Sequence, residues 1–237
     1  MSDNLKEIFW DLIFPRECVF CGKGKNWICN NCFSRLDFRK RQICPLCGSL
    51  SREGRPCLNC LPQTNLDKVL VAADYKDEKI QYLIKLLKYR FIKDIAYYLS
   101  DFITLFLSQY QEKNPKKIYN PSTTYLIPVP LHKKRYNWRG FNQTEFIADK
   151  LSKNLGLENK KNCLLRKKYQ KPQTKFQREE RLKNMAGSMT WQGPAWEKEK
   201  IILVDDVTTT GATLNEAARA LKAAGARRVE ALVIARE

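Results

Sequence analysis

The sequence predicts an α/β protein in which a parallel sheet is flanked by helices and preceded by a small, metal-stapled module. Three observations carry this. Eight of the nine cysteines stand as four CxxC pairs between Cys18 and Cys60. The uninterrupted apolar run Ile201-Ile-Leu-Val204 has the character of a parallel strand buried on both faces. After it come a short polar turn, a helical pattern with Leu214, Ala217, Ala218 and Leu221 on one side, and a last apolar strand from Val229 to Ala235. Strand, helix and strand from 201 to 235 then make one right-handed βαβ unit. Ligands of such sheets sit at the carboxyl ends of the strands.

A chain of 237 residues holds one main domain and one small one. The composition places the boundary at residue 64: an N-terminal helix and two ribbons over 1–64, and the α/β domain over 65–237. The formal charge of +18 points to an anionic partner, whether nucleic acid, a membrane surface or a polyphosphate. The excess is concentrated: Leu131 to Met185 carries 16 Lys and Arg against 5 Asp and Glu. A solvated basic surface is the plainer alternative. The opening Met1-Ser2-Asp3-Asn4 lacks a basic leader, and no apolar run reaches the length of a membrane span. A cytoplasmic protein is expected, and there nine cysteines do not form a disulfide framework.

Taken in order, Leu5, Ile8, Phe9, Leu12 and Ile13 mark a short amphipathic helix stopped by Pro15. Then come Cys18/Cys21, Cys29/Cys32, Cys44/Cys47 and Cys57/Cys60. Each CxxC pair forms a knuckle that aims two thiolates at one ion. Two tetrahedral Zn2+ sites of four thiolates follow, closed and therefore structural. Metal binding should supply on the order of 10 kcal/mol of folding free energy per site. Sequential pairing (Cys18, Cys21, Cys29, Cys32; then Cys44, Cys47, Cys57, Cys60) suits two self-similar ribbons, but spacing alone also permits cross-bracing. Iron–sulfur ligation is a further alternative. Cys163 stands apart as a packing thiol, and the single histidine, His132, is needed by neither site.

Val69 to Tyr75 reads as a strand. Ile80, Leu83, Ile84 and Leu87 form a helical stripe, and a second helix spans about Ile92 to Gln109. Gln111 to Thr124 reads as a connecting loop. Tyr125 to Pro130 is extended, and a basic loop from Leu131 to Gln143 follows it, leading into a helix with Phe146, Ile147 and Leu151. In that loop Lys133, Lys134, Arg135 and Arg139 can face a pyrophosphate, because guanidinium forks match phosphate oxygens. Tyr136, Trp138 and Phe141 alternate with these cations and either stack bases or seat the loop on the core. Arg166 to Gly187 is polar and basic, with Arg178, Arg181 and Asn184 near its end, and reads as a flap over the site.

The functional centre is Ile201 to Thr213, IILVDDVTTTGAT. Asp205 and Asp206 end the apolar run. Thr208, Thr209, Thr210, Gly211, Ala212 and Thr213 form a hydroxyl-rich turn at the start of a helix. Backbone N–H groups and the positive end of the helix dipole converge there. The hydroxyls add donors, and glycine lets the backbone come close to a bound group. This suits a phosphate monoester, with the two carboxylates beside it at sugar hydroxyls or a hydrated divalent cation. An ordinary strand–turn–helix is the plain reading. A nucleotide-triphosphatase acidic strand would need a GxxxxGK[ST] loop, which the chain lacks.

Residues 201–213 resemble the phosphoribosyl-pyrophosphate (PRPP) signature of type I phosphoribosyltransferases. Together with the CxxC pairs, PVPLHKKRYNWRGFNQ and QREERLKN, they are similar to the ComF family of ComFC- and GntX-type competence proteins. The resemblance implies a type I phosphoribosyltransferase-like fold behind a double zinc ribbon, and a role in natural transformation or DNA handling. By that resemblance Asp205 and Asp206 contact the PRPP ribose with Mg2+, and Thr209, Thr210, Gly211, Ala212 and Thr213 hold the 5′-phosphate, with Thr208 beside them. Arg135, Arg139 and Gly140 fall at the pyrophosphate loop. PRPP is the expected ligand; the basic 131–185 segment, its interleaved aromatics and the zinc ribbons add single-stranded DNA as an expected partner, with a competence helicase or recombination protein as another. Two function classes follow: a transferase acting on PRPP with an unidentified base or amine acceptor, and a DNA-binding accessory that keeps the fold without turnover.

Overall fold

The computed structural model describes residues 16–114, 119–167 and 185–237. The helix expected between Leu5 and Ile13 lies outside these residues. So does the greater part of the expected flap, including Arg178, Arg181 and Asn184. The chain divides into two compact units, Met1–Asp37 and Phe38–Glu237.

The described part of the first unit is one ribbon. Val19 N–H donates to the Trp27 carbonyl at 2.9 Å, and Gly22 N–H donates to the Cys18 carbonyl at 2.8 Å, closing the first knuckle. A single helical turn, α1 (Asn30–Phe33), follows Cys29. The second unit contains the other ribbon and the sheet. Gly48 N–H donates to the Cys44 carbonyl at 3.1 Å, forming the equivalent knuckle. The second ribbon, unlike an independent module, is stitched to the sheet within this unit.

Among the described residues, seven strands and five more helices follow the second ribbon: β1 (Lys68–Asp74), α2 (Glu78–Tyr89), α3 (Ile95–Lys113), β2 (Thr124–Pro128), α4 (Lys133–Arg139), α5 (Gln143–Leu155), β3 (Glu158–Asn159), β4 (Leu164–Arg166), β5 (Met189–Trp191), β6 (Lys200–Thr208), α6 (Ala212–Ala223) and β7 (Arg228–Arg236). The main sheet has the order β1-β7-β6-β2-β3, and each neighbouring pair is parallel. β4 and β5 form a small antiparallel pair. Ile201, Ile202, Leu203 and Val204 of β6 are buried, as the unbroken apolar run requires of a central strand. Each such side chain contributes about 1.5–3 kcal/mol. α6 covers one face through Leu214, Ala217, Ala218 and Leu221, while α3 packs on α5.

β1 is an edge strand, and the second ribbon satisfies its open groups. The Gln42 side chain both accepts from Val71 N–H at 2.9 Å and donates to the Val71 carbonyl at 3.0 Å. Arg39 N–H donates to the Ala72 carbonyl at 2.7 Å.

The stretch expected to be a basic loop is largely helical. α4 begins at His132, whose Nδ1 accepts from Lys134 N–H at 3.1 Å, and ends at Gly140 with φ +76°. Straight-chain Lys and Arg are good helix formers, but no apolar stripe advertises the helix. Its periodicity is therefore invisible to hydrophobic pattern. The second helix runs past the expected Gln109 to Lys113.

Candidate phosphate site and zinc centres

A polar cavity opens where the carboxyl ends of β2 and β6 meet the end of α2 and the α4–α5 segment. Lys88, Arg135, Arg139, Arg166, Asp205 and Asp206 line it, with Gln143, Thr144 and Thr213. Its volume, about 160 Å³, is roughly ten times the 10–15 Å³ of such space that one water needs. The topology brings these residues together from six elements, α2, α4, α5, β4, β6 and α6.

Asp206 is buried and fully engaged. Lys88 Nζ lies 2.7 Å from one oxygen, and Gln143 Nε2 donates to the other at 2.5 Å. Arg139 in turn donates to Gln143 Oε1. A relay Arg139–Gln143–Asp206–Lys88 thus joins α4, α5, β6 and α2. Asp205 accepts from the Asp206 N–H at 2.9 Å. Burial, then the neighbouring Asp206 charge, push the Asp205 carboxyl up to about 7, against the pull of Lys88. Arg139 and Arg166 are both pushed down by burial, with Asp206 and Asp205 respectively pulling the other way. The Nε of each guanidinium is buried without a hydrogen-bond partner among the described residues. Buried donors without acceptors are costly, and four cations against two carboxylates leave the cavity suited to an anion.

The sequence-predicted residues distribute unevenly. Arg135, Arg139, Asp205, Asp206 and Thr213 line the cavity. Thr208 is buried at the end of β6, paired with Arg236 of β7, and its carbonyl accepts from Glu237 N–H at 3.1 Å. Thr209, Thr210 and Gly211 form the turn beyond it, Ala212 opens α6 and Gly140 ends α4; none of these is among the lining residues. α6 starts at Gly211 with no side-chain cap, so its first N–H groups receive no acceptor from the N-cap side chain. Lys88, Gln143 and Arg166 escaped sequence reasoning as site residues. Lys88 reads only as the polar edge of a helix and Gln143 as the end of a loop.

Gly211 has a second duty. A Cβ there would lie 2.7 Å from the Pro45 carbonyl oxygen, and its φ is +73°. The second zinc knuckle therefore touches the candidate phosphate loop. Arg236 at the end of β7 clamps the same knuckle, donating to the Cys44 and Pro45 carbonyls at 2.9 Å and to Leu46 at 3.3 Å.

Both cysteine tetrads fit zinc. The sulfurs of Cys18, Cys21, Cys29 and Cys32 all lie within 4.8 Å of one another, as do those of Cys44, Cys47, Cys57 and Cys60. Cys21 and Cys29 are 3.7 Å apart, as are Cys47 and Cys57. Zinc–sulfur bonds of about 2.3 Å in a tetrahedron require about 3.8 Å. Cys29 N–H points at the Cys18 sulfur and Cys57 N–H at the Cys44 sulfur, each at 3.4 Å. The arrangement is sequential rather than cross-braced.

Comparison with known proteins agrees with this architecture. Residues 9–61 match the double zinc ribbon domain, and residues 142–237 match the phosphoribosyl transferase domain. The chain is 32% identical to competence protein ComFC of Bacillus subtilis over 210 residues, covering 86% of this chain and 81% of that one. It is 29% identical to competence protein F of Haemophilus influenzae, covering 94% and 98%. It is 28% identical to the DNA utilization protein YhgH of Escherichia coli K12, covering 95% and 99%. A double zinc ribbon followed by a phosphoribosyltransferase domain, matched along most of the chain, places this protein in the ComF family.

Proposed function

We propose that the protein binds PRPP with Mg2+ in the cavity beside Asp205 and Asp206, and acts in DNA uptake and utilization. The observation that carries the PRPP reading is the convergence of two carboxylates with Lys88, Arg135, Arg139 and Arg166 at the carboxyl ends of β2 and β6. Relatives named for competence and DNA utilization support the DNA role. In this reading the two carboxylates orient the ribose hydroxyls. Arg135 and Arg139 neutralise the pyrophosphate, and the start of α6 receives the 5′-phosphate. Mg2+, when bound, would spread the negative charge of the leaving pyrophosphate. Such chemistry rests on positioning and charge stabilisation, so it needs no dedicated general base. Isothermal calorimetry with Mg-PRPP tests it. Asp205→Ala with Asp206→Ala is expected to abolish binding, and unchanged affinity in a double variant that still folds would remove the proposal. Pyrophosphate release, screened over nucleobases, amines and single-stranded DNA, then separates a transferase from a binding protein.

A second reading, single-stranded DNA binding, is favoured by the exposed rings of Tyr136 and Trp138 on the basic helix α4. Binding should then weaken steeply with salt as counterions are released.

A further inference from the structure

The aromatic–cation pattern of α4 extends onto a second element. The last turn of α2 closes with Arg90 N–H donating to the Leu86 carbonyl at 3.1 Å and Ile92 N–H to the same oxygen at 3.4 Å. Between them Phe91 sits at φ +59°. Helices favour glycine at this position, and a bulky aromatic there is an outlier. Burial does not compensate, since Phe91 is 41% exposed. Its ring instead meets Trp138 edge-on at 5.7 Å and Phe141 at 6.2 Å, while Tyr89 lies 6.3 Å from Trp138. Tyr89 and Trp138 are 58% and 59% exposed. Three solvent-facing rings from two distant segments thus make one surface.

Its margin is cationic. Residues 88–94 and 131–139 carry seven Lys and Arg against one acid, Asp94. Lys93 Nζ lies 5.4 Å from the ring centres of both Phe141 and Phe146. The surface runs into the cavity, because Tyr89 belongs to both. Aromatic faces between long cationic side chains match unpaired bases joined by phosphates. An apolar anchor of a protein partner would meet a margin poorer in lysine, and a duplex offers no free base faces to stack.

We propose that Tyr89, Phe91 and Trp138 form a stacking platform for the unpaired bases of single-stranded nucleic acid on the lip of the phosphate cavity. Arg90, Lys93, Lys133 and Lys134 lie along the phosphates. The platform deepens the single-strand reading above and rests on it. The backbone of Phe91 supplies a discriminating variant. Phe91→Gly relieves the left-handed conformation while deleting a ring, so a purely structural role predicts unfolding at a lower temperature and a platform role does not.

The test is fluorescence anisotropy of a labelled oligothymidylate with wild type, Phe91→Gly and Trp138→Ala, alongside thermal unfolding and Mg-PRPP calorimetry. The expected result is about tenfold weaker binding in each variant. Phe91→Gly should unfold no earlier than wild type, PRPP affinity should stay at the wild-type value, and a duplex of the same length should bind more weakly. Wild-type oligonucleotide affinity in both variants overturns the platform and leaves the single-strand reading standing. No binding by wild type overturns the single-strand reading itself, and the platform with it.

Discussion

Asp205 and Asp206 are neighbours in sequence but differ in their partners. Asp206 is paired with Lys88 and Gln143, while burial, then the neighbouring Asp206, lift Asp205 to about 7. The sign is fixed by linkage. Asp205 binds its proton more tightly folded than unfolded, so its contribution to stability falls as pH rises from about 4 through 7. A ligand that needs the carboxylate must first remove that proton. Mg-PRPP affinity is therefore expected to rise between pH 6 and pH 8, and calorimetry across that range reads it; Asp205→Asn should flatten the profile. The relay is a second test at this scale. Gln143→Ala leaves Arg139 and one oxygen of Asp206 without a partner in a buried setting. It should cost about 1–3 kcal/mol of stability, measured by denaturant unfolding, and weaken PRPP binding as well.

At the level of elements, the second zinc knuckle braces the candidate phosphate loop. Gly211 fits beneath the Pro45 carbonyl, and Arg236 ties β7 to the carbonyls of residues 44–46. Arg236→Ala removes charged donors from three carbonyls and is expected to destabilise the protein by about 1.5–3 kcal/mol. It should also lower PRPP affinity although Arg236 does not line the cavity. Thermal unfolding together with calorimetry checks both parts. Gly211→Ala should do the same through the crowded Cβ and the left-handed backbone.

What sequence reveals divides at this scale. The tetrads, β6 and the acidic pair were legible because each is a local pattern of residue type and spacing. Helix α4 was not, because a two-turn helix of Lys, Arg, Tyr, Asn and Trp shows no apolar period. Lys88, Gln143 and Arg166 were not either. Each is an ordinary polar residue until the fold brings the end of α2, the start of α5 and β4 to the end of β6.

The whole molecule combines two thiolate tetrads built for zinc with a strongly positive charge. Chelation of zinc should release two ions per chain and lower the unfolding temperature, because each closed thiolate site contributes on the order of 10 kcal/mol. Atomic absorption with thermal unfolding reads both. The charge of +18 sets the expected salt response. The logarithm of single-strand affinity should fall with the logarithm of salt at a slope steeper than about −2, the release expected from three phosphates.

The most direct measurement is the thermal unfolding of the zinc-loaded protein titrated with PRPP in the presence and absence of Mg2+. If a phosphorylated sugar occupies the cleft at the end of β6, Mg-PRPP at a hundred times its dissociation constant stabilises the fold by about 2.7 kcal/mol. The shift should disappear when Asp205 and Asp206 are both alanine. An unfolding temperature indifferent to PRPP in the wild-type protein, or a shift of equal size in the double variant, contradicts the account.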